Sequence, residues 1–224
     1  MLHLVIADSE LETVPAEIAD HRVIRWHARK RGRKPTELIL NSSLHHPAMN
    51  RLKDRERRGR PDIVHFCLLT ALDSPLNIEG LMRVYVHTRN NKIMRVNPSV
   101  NLPRMYNRFE GLMEQLFMTG EVPPGKPLLT LEDGTLAGLM REIGAKRRIV
   151  MTENGERKTL DELFRDMGRG EEVCVVVGGF PHGDFLSNVK SVGTEFVSLY
   201  GKPLTAPAVV ARVISAIERR LGIL

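Results

Sequence analysis

Short apolar runs alternate along the chain with longer amphipathic stretches. The runs have the length and β-branched content of strands, and they lie at 2–7, 81–88, 92–97, 172–180 and 194–200. Stretches with apolar residues at helical spacing lie at 62–73, 105–119, 159–167 and 207–221. Strands that alternate with helices predict an α/β fold, in which ligands bind outside the carboxyl ends of the strands.

Local signals support some of these elements. In the stretch 105–119, six apolar residues recur at helical spacing: Met105, Phe109, Leu112, Met113, Leu116 and Phe117. The methionines among them are therefore predicted to be core residues. The last helix carries Pro207 in its first turn, where the missing N–H does no harm. After the first strand, Asp8 and Ser9 are predicted to cap a further helix within 9–19.

Glycine and proline cluster at 120–127 (GEVPPGKP), a composition typical of a boundary. A strand, a helix and a second strand follow in close succession, which predicts a compact unit. We therefore expect residues 1–224 to form one domain that contains a strand–helix–strand insertion at 123–158.

Composition narrows the class of protein. A chain of 224 residues with 42% hydrophobic content can bury one sizeable core. The opening MLHLVIAD has no basic segment before its apolar run, and no later run is long enough to cross a bilayer, which predicts a cytoplasmic protein without membrane association. Cys67 and Cys174 lie inside apolar runs, which favours two buried reduced thiols over a disulfide or a metal site.

The net charge of +6 is concentrated in two segments, 21–35 (HRVIRWHARKRGRKP) and 51–61 (RLKDRERRGRP). Such clusters attract polyanions, although a solvated basic face without a partner is the alternative for either cluster alone. Together they favour nucleic acid. Few aromatic residues accompany them, so the composition gives little support to a stacking platform for single strands.

The stretch VVVGGFPHGD (175–184) follows a predicted strand. It lacks both the G-x-G-x-x-G pattern and the lysine and Ser/Thr that end a P-loop, so no pyrophosphate site is expected. Gly178, Gly179 and Gly183 leave backbone groups free to approach a flat ring or a ribose. For this loop alone, an ordinary tight turn between core elements is the simpler interpretation.

A second loop, SLYGKPLTAPAVV (198–210), repeats the arrangement of a strand, a turn through glycine and proline, and an apolar helix. The two loops, in this order near the carboxyl end, resemble the cofactor loops of SPOUT methyltransferases. The resemblance implies a SPOUT-type α/β fold with a mostly parallel central sheet, flanking helices and a C-terminal trefoil knot. Composition and pattern cannot predict a knot.

The resemblance extends to one family. RGRPDIVHFCLL (58–69), DSPLN (73–77), LMRVYVHT (81–88) and VNPSVNLPRMYNRFEGLMEQL (96–116), with the two loops, resemble the ribosome-biogenesis family that methylates N1 of a pseudouridine in small-subunit ribosomal RNA. These motifs keep the family order, whereas the first fifty residues match less distinctively. The lean N-terminus suggests an archaeal rather than a eukaryotic member.

The resemblance implies that S-adenosylmethionine binds between the two loops, with its adenine held by backbone groups. Carried over residue by residue, the binding set is Gly178, Gly179, His182 and Gly183 in the first loop and Leu199, Tyr200, Leu204, Thr205 and Ala206 in the second. His87 and Thr88 at a strand end form the remaining wall, although a strand-end histidine is more often structural.

The donor carries its own electrophile, a sulfonium, so the protein is expected to orient N1 of the base and to help its proton leave. Pseudouridine presents a free N1–H because its glycosidic bond is to carbon. Asp62 and Arg60 are the candidate catalytic pair, with Asp62 either accepting the proton or holding Arg60 in a fixed direction for RNA. A structural alternative is that Asp62 is the N-cap of the following helix.

Arg104 and Arg108 lie four residues apart at the predicted start of the helix 105–119, on one face that is not the apolar one. They are predicted to clamp successive phosphates of a looped-out strand, with a solvated pair as the alternative. Many members of the family carry a further arginine where this chain has Asn101. Asn101 can hydrogen-bond RNA without adding charge, so a weaker salt dependence is expected.

A base inside a duplex cannot reach a methyl group in a protein pocket, so the expected substrate is a small-subunit rRNA hairpin loop or a flipped-out nucleotide. The two basic segments are expected to hold the flanking stem. The resemblance implies a homodimer and admits ribosomal proteins or assembly factors as further partners. A non-catalytic assembly factor is the second class of function, but it has no physical need to retain intact cofactor loops.

Overall fold

The computed structural model describes residues 1–224, and its strands form one eight-stranded sheet. In chain order the strands are β1 (Leu2–Ser9), β2 (Met82–Thr88), β3 (Lys92–Val96), β4 (Glu121–Val122), β5 (Leu129–Asp133), β6 (Arg147–Arg157), β7 (Val173–Gly178) and β8 (Glu195–Ser198). Their order across the sheet is β4-β5-β3-β2-β1-β7-β6-β8. In this order the pairs β2-β1, β1-β7, β7-β6 and β6-β8 are parallel. The pairs β2-β3, β3-β5 and β5-β4 are antiparallel. The sheet is therefore mixed.

Helices pack on both faces of this sheet. In chain order they are α1 (Arg22–Arg31), α2 (Ser42–Met49), α3 (Pro61–Leu72), α4 (Pro75–Ile78), α5 (Tyr106–Thr119), α6 (Leu136–Ile143), α7 (Leu160–Leu163) and α8 (Ala206–Arg220). The four helices predicted from apolar spacing are confirmed as α3, α5, α7 and α8, although α7 is a single turn. The predicted α/β fold with flanking helices is also confirmed.

Strand β1 lies inside the sheet with every residue buried. Because successive side chains of a strand point to opposite faces, Leu4 and Ile6 pack into the large core cluster shared with α3, α5 and α8. Val5 and Ala7 pack into a smaller cluster on the other face, with α6. Residues of α1 and α2 form a third cluster of their own. Strand β1 therefore packs against buried residues on both faces of the sheet, which fixes the position of the loops next to its end.

The helix predicted after Asp8 and Ser9 is wrong. Strand β1 continues to Ser9, and the first α-helix begins only at Arg22. The carboxylate of Asp8 accepts hydrogen bonds from the backbone N–H groups of Leu186 (2.7 Å) and Ser187 (2.8 Å) instead of capping a local helix. A distant partner in the fold has replaced the local one that the sequence pattern indicated.

The prediction for the methionines of α5 is half right. Met113 is fully buried in the main cluster, together with Phe109 and Leu116. Met105 is 65% exposed because it is the N-cap residue of α5 and lies outside the helical repeat. The apolar spacing therefore begins one residue before the helix itself.

The segment 123–158 contains the predicted strand, helix and strand as β5, α6 and β6. These strands are separated in the sheet by β3, β2, β1 and β7. The segment is therefore not compact, because each strand pairs with a different part of the protein. The stretch 120–127 is not a clean boundary either, since it contains β4, which pairs with β5 of the same sheet. The assignment of 123–158 as an insertion stays a prediction.

None of the helices has the length and apolar character needed to cross a lipid bilayer. Both cysteines are free and buried, as the sequence predicts. Burial raises the pKa of the Cys67 thiol and of the Cys174 thiol to about 12, so neither is a reactive thiolate at neutral pH.

Candidate active site

A cavity of about 520 Å³ lies where β6, β7 and β8 end. The carboxyl ends of these parallel strands meet at one edge of the sheet, which is where α/β folds bind ligands. Its lining comes from 151–154, from 177–185 apart from Gly179, from 197–206 apart from Gly201, and from Val209 of α8. We call this the loop cavity. Its volume falls in the range of small-molecule sites, roughly 300–1,000 Å³.

Close packing constrains the first loop at two glycines, most strictly at Gly179, where the backbone of β1 is in the way. A Cβ on Gly179 would lie 2.2 Å from Oγ of Ser9 and 2.9 Å from its Cα. The backbone of Gly179 is also tied at both ends, with its N–H donating to the carbonyl of Ala7 and its carbonyl accepting from Glu10. A Cβ on Gly178 would lie 2.6 Å from the ring of Phe180. The glycine pair therefore lets the chain turn directly against the end of β1.

Asp8 anchors the far side of this loop. Its carboxylate accepts from Oγ of Ser187 (2.6 Å) as well as from the two backbone N–H groups already described. Burial raises the pKa of Asp8, but hydrogen bonds from His87 and Ser187 outweigh that effect and leave it below its ordinary value. Asp8 has a φ of +48°, which non-glycine residues seldom adopt. An ionised Asp8 thus fixes 186–187 at the edge of the cavity.

Arg57 contacts the same loop at Phe180 and Asp184. Its guanidinium carbon lies 4.3 Å from the centroid of the Phe180 ring, and its Nη1 donates to the carbonyl of Asp184 (2.8 Å). The guanidinium also pairs with the buried carboxylate of Glu10, which accepts from Arg89 as well. Arg57 therefore holds the loop in place and is not free to bind a polyanion.

The structure corrects the interpretation of the basic segment 51–61. Arg57 and Arg58 are buried, and Arg58 makes a bidentate pair with Glu12, with both N···O distances at 2.8 Å. These charges are neutralised inside the protein. Arg51, Lys53 and Arg55 remain exposed at the surface, so the segment offers fewer free cations than its sequence suggests.

The third wall of the loop cavity comes from a bulge in β6. Val197 of β8 pairs with both Met151 and Glu156 of β6, so the intervening residues 152–155 loop out of the ladder. A Cβ on Gly155 would lie 2.5 Å from the backbone nitrogen of Val197. Glycine at this position allows the bulge to close, and Thr152, Glu153 and Asn154 then face the cavity.

Sequence reasoning missed these bulge residues. The signal that could have found them is the polar stretch Thr152–Asn154, which directly follows the apolar part of β6. The carboxyl end of a parallel strand beside β7 is where further cavity residues should lie. The bulge itself depends on pairing with β8 and has no local signature except Gly155.

The structure brings most of the predicted cofactor residues together. Those that line the loop cavity are Gly178, His182, Gly183, Leu199, Tyr200, Leu204, Thr205 and Ala206. Gly179 and Thr88 do not line it. Thr88 is fully buried in β2 opposite Ser9, where its Oγ1 accepts from the backbone N–H of Lys92. His87 is buried between Asp8 and Asn91 and also lies outside the lining.

Arg60 and Asp62 form a bidentate ion pair at the start of α3, with N···O distances of 2.9 and 2.8 Å. Arg60 is the N-cap residue, Pro61 follows it, and Asp62 makes no capping hydrogen bond, so the N-cap alternative for Asp62 is wrong. The two side chains are 38% and 32% exposed and can be reached from solvent. Neither lines the loop cavity.

The arginines predicted to clamp RNA occupy two different settings. Arg108 is exposed on the first turn of α5 and has no carboxylate within 4.0 Å. Arg104 precedes the helix and pairs with Asp73 at 2.9 Å, so its placement on one helical face with Arg108 is wrong. Asn101 is exposed in the same connection. His65 of α3 contacts this connection, since its Nε2 lies 2.8 Å from the carbonyl oxygen of Pro103.

A buried polar cluster joins α1, α2 and α5 behind this surface. The backbone N–H of Asn41 donates to Nδ1 of His45 (3.1 Å), so the proton of the neutral ring is on Nε2, which lies 2.9 Å from Nδ1 of His27. The side chain of Asn41 donates to Glu110 of α5 (2.9 Å). Burial raises the pKa of Glu110. A charge on His45 would place a proton on Nδ1, which could then no longer accept the hydrogen bond from the backbone N–H of Asn41.

This cluster predicts a pH dependence of stability. Burial and then the neighbouring His27 lower the pKa of His45 from 6.5 to about 4. Above pH 6.5 the ring is neutral in both states, and below it the unfolded chain binds a proton that the folded protein resists. The free energy of unfolding should therefore fall between pH 6.5 and about 4, by up to about 3 kcal/mol from this residue.

The measurement is denaturant unfolding of the wild type, of His45→Gln and of His46→Gln at pH 7.0 and pH 5.0. His46 is exposed on the same helix and is the matched control. The wild type and His46→Gln should lose stability in parallel, whereas His45→Gln should lose less. An equal loss in all three proteins would contradict the assignment.

The fold and the loop cavity define an α/β protein with a small-molecule site built by loops at the carboxyl ends of parallel strands. The family model described as EMG1/NEP1 methyltransferase matches residues 4–218. The chain belongs to this family and is therefore a methyltransferase. The family resemblance seen in the sequence motifs is confirmed.

Individual relatives agree with this result. The chain is 49% identical over 221 residues to "Ribosomal RNA small subunit methyltransferase Nep1" of Thermococcus sibiricus, which covers 99% of both proteins. It is 52% identical over 217 residues to the protein of the same name from Pyrococcus furiosus, with 97% of this chain and 96% of the relative covered. A crystal structure of Archaeoglobus fulgidus Nep1 bound to S-adenosylhomocysteine superposes with a TM-score of 0.85 at 40% identity and covers 97% of each chain.

Proposed function

We propose that this methyltransferase transfers a methyl group from S-adenosylmethionine to N1 of a pseudouridine in a small-subunit rRNA hairpin during ribosome biogenesis in the cytoplasm. The observation that carries the proposal is the loop cavity, which collects eight of the residues expected to bind the donor. The names of the Thermococcus and Pyrococcus relatives support the substrate class. The S-adenosylhomocysteine complex of the Archaeoglobus neighbour supports the donor.

The lining of the loop cavity fits such a donor. Leu199, Leu204 and Val209 offer apolar contact for a flat ring, and the backbone at Gly178 and Gly183 carries no side chain that would block hydrogen bonds to it. The carboxylates of Glu153 and Asp184 supply negative charge close to where a cationic ligand would sit. When bound, S-adenosylmethionine supplies an electrophilic methyl group, so no side chain is needed as a nucleophile.

We further propose a homodimer, because the two parts of the proposed site are separate within one chain. Arg60 and Asp62 do not line the loop cavity of their own chain, although both are proposed to act at the reacting base. A second copy that sets its Arg60 and Asp62 against this cavity completes the site. Helices α3 and α8 pack together, and Phe66 of α3 is exposed, which offers apolar surface for that contact. We also propose that the segment after β7 threads through the chain as a trefoil knot.

In this dimer Arg60 and Asp62 act as one unit. The bidentate pair fixes the guanidinium in one direction, and the carboxylate retains lone pairs that can accept the proton of N1. Orientation of the base supplies the larger part of the rate, and proton removal adds a smaller part.

The RNA lies along the segment from Asn101 to Arg108. Arg108 has no internal ion pair and contacts phosphate directly, whereas Arg104 must exchange its partner Asp73 for RNA. Binding therefore depends on salt. The arginine that many family members have at the position of Asn101 is absent here, so one phosphate contact carries no charge in this chain.

Substitutions along this segment should change the salt dependence in opposite directions. Arg108→Ala should lower the slope of log K against log salt concentration by about 0.7–0.9, and Asn101→Arg should raise it by the same amount, since each changes one cationic phosphate contact. Arg141→Ala is the matched control, because Arg141 is exposed on α6 at the opposite face of the sheet. Equal slopes for the wild type and all three variants would show that the RNA does not bind along this segment.

The direct test uses labelled S-adenosylmethionine and two hairpins that differ only in uridine or pseudouridine at the target position. Digestion and mass analysis of the nucleosides should show one added methyl group, on pseudouridine only. Transfer to both hairpins or to neither would contradict the proposal. Tight binding of both hairpins without transfer would instead favour a non-catalytic assembly factor, the second function considered. Ribosomal proteins or assembly factors are further partners under either function.

A further inference from the structure

The only tryptophan of the chain lies on the outward face of α1. Trp26 is 58% exposed, although tryptophan is a residue that proteins usually bury to a large extent. The opposite face of α1 carries the buried residues Ile24, His27 and Ala28. The exposed ring is therefore not needed for the packing of the helix.

Cations surround this ring. Arg22, Arg29 and Lys30 lie four residues before, three after and four after Trp26, so all three share its face of the helix. Each is exposed, and none has a carboxylate within 4.0 Å. Nζ of Lys30 lies 5.3 Å from the centroid of the Trp26 ring. Helix α1 contains no acidic residue that could neutralise the face.

The face is also held rigidly. Arg31 at the end of α1 pairs with the buried carboxylate of Glu114 on α5, and His27 is hydrogen-bonded to His45 of α2. Helix α5 is the element that carries Arg108. The ring and its cations are thus fixed to the same helix as the proposed phosphate contact.

We propose that Trp26 is a stacking platform for an unpaired base of the substrate RNA, other than the methylated one, while Arg22, Arg29 and Lys30 hold the adjacent phosphates. The inference rests on the proposed function, since it takes RNA as the substrate. Aromatic rings among cations stack bases of single strands, and the cations follow the backbone. An RNA strand suits this face because its phosphates can pair with all three unpaired cations while a base covers the ring.

The sequence composition gave little support to a stacking platform, because aromatic residues are few. The structure changes that interpretation, since one ring suffices when it is exposed and its neighbours are unpaired cations. The basic segment 51–61 has a smaller part in RNA binding, because its Arg57 and Arg58 are buried.

A fluorescence titration tests the inference, because Trp26 is the only tryptophan and its emission reports on its own surroundings. The probes are an rRNA hairpin with single-stranded tails and a blunt RNA duplex of equal charge. The tailed hairpin should change the emission in step with binding measured on labelled RNA, and the duplex should bind without that change. An unchanged spectrum at saturating hairpin, or an equal change with the duplex, would overturn the inference.

Two variants complete the test. Trp26→Ala should bind the tailed hairpin roughly tenfold more weakly, and Trp26→Phe should stay within about threefold of the wild type, because a phenyl ring still stacks. Equal affinity for Trp26→Ala and the wild type would also overturn the inference. Methyl transfer is measured on the same samples. A wild type that binds RNA but transfers no methyl group defeats the proposed function and leaves the stacking result to be judged separately.

Discussion

Asp62→Asn should lower the rate of methyl transfer at least about a hundredfold and leave the protein folded. Asparagine keeps the size of the side chain but cannot accept the proton of N1 or hold the guanidinium of Arg60 through two charged contacts. Both side chains are about one third exposed, so the lost ion pair should change the free energy of unfolding by less than about 1 kcal/mol. Single-turnover assays and thermal melts measure the two effects.

The control for this variant is Asp133→Asn, which removes an exposed carboxylate paired with Lys92 on the far part of the sheet. It should melt and react as the wild type does. The readout also separates the two roles of Asp62. A fall in kcat at unchanged RNA affinity indicates proton removal, and a rise in KM with a matching loss of RNA affinity indicates positioning of Arg60. Wild-type activity in Asp62→Asn would exclude Asp62 from the mechanism.

Gly179→Ala should weaken donor binding roughly tenfold or more and lower the free energy of unfolding by about 1–3 kcal/mol. The new Cβ would lie 2.2 Å from Oγ of Ser9 and 2.9 Å from Cγ2 of Ile6, so the first loop must move away from β1. Gly179 does not line the loop cavity, but the cavity residues on both sides of it would shift with the backbone. Calorimetric binding and denaturant unfolding measure the two effects.

Gly168→Ala is the control for the backbone change itself. A Cβ at Gly168 meets nothing within 4 Å, so this variant should keep the stability and the donor affinity of the wild type. If Gly179→Ala binds the donor as tightly as Gly168→Ala does, the close packing of the loop against Ser9 is not what shapes the cavity.

Elements with a strong local pattern could be predicted from the sequence. The apolar run at 62–73 and the periodic stretch at 207–221 form α3 and α8, because the density and spacing of their apolar residues are already those of helices packed on a core. The two β-rich runs at 81–88 and 92–97 likewise form β2 and β3, which pair as antiparallel neighbours. The two glycine-containing loops were placed correctly at strand ends, and most of their predicted residues do face one cavity.

Features decided by distant contacts could not be predicted. Asp8 has the local signal of a helix cap, but its partners are 178 and 179 residues away in the chain. Arg57 and Arg58 look like surface cations until Glu10 and Glu12 are known to lie beside them. The bulge at 152–155 exists only because Val197 pairs with residues on both sides of it. In each case a tertiary partner outweighs the local pattern.

The most direct test of the account is isothermal calorimetry with S-adenosylmethionine and S-adenosylhomocysteine on folded protein, since the loop cavity is proposed to hold both. We predict a saturable heat with one site per chain for the wild type and for Gly168→Ala, and a much weaker one for Gly179→Ala. No heat from either compound on well-folded wild-type protein would contradict the account.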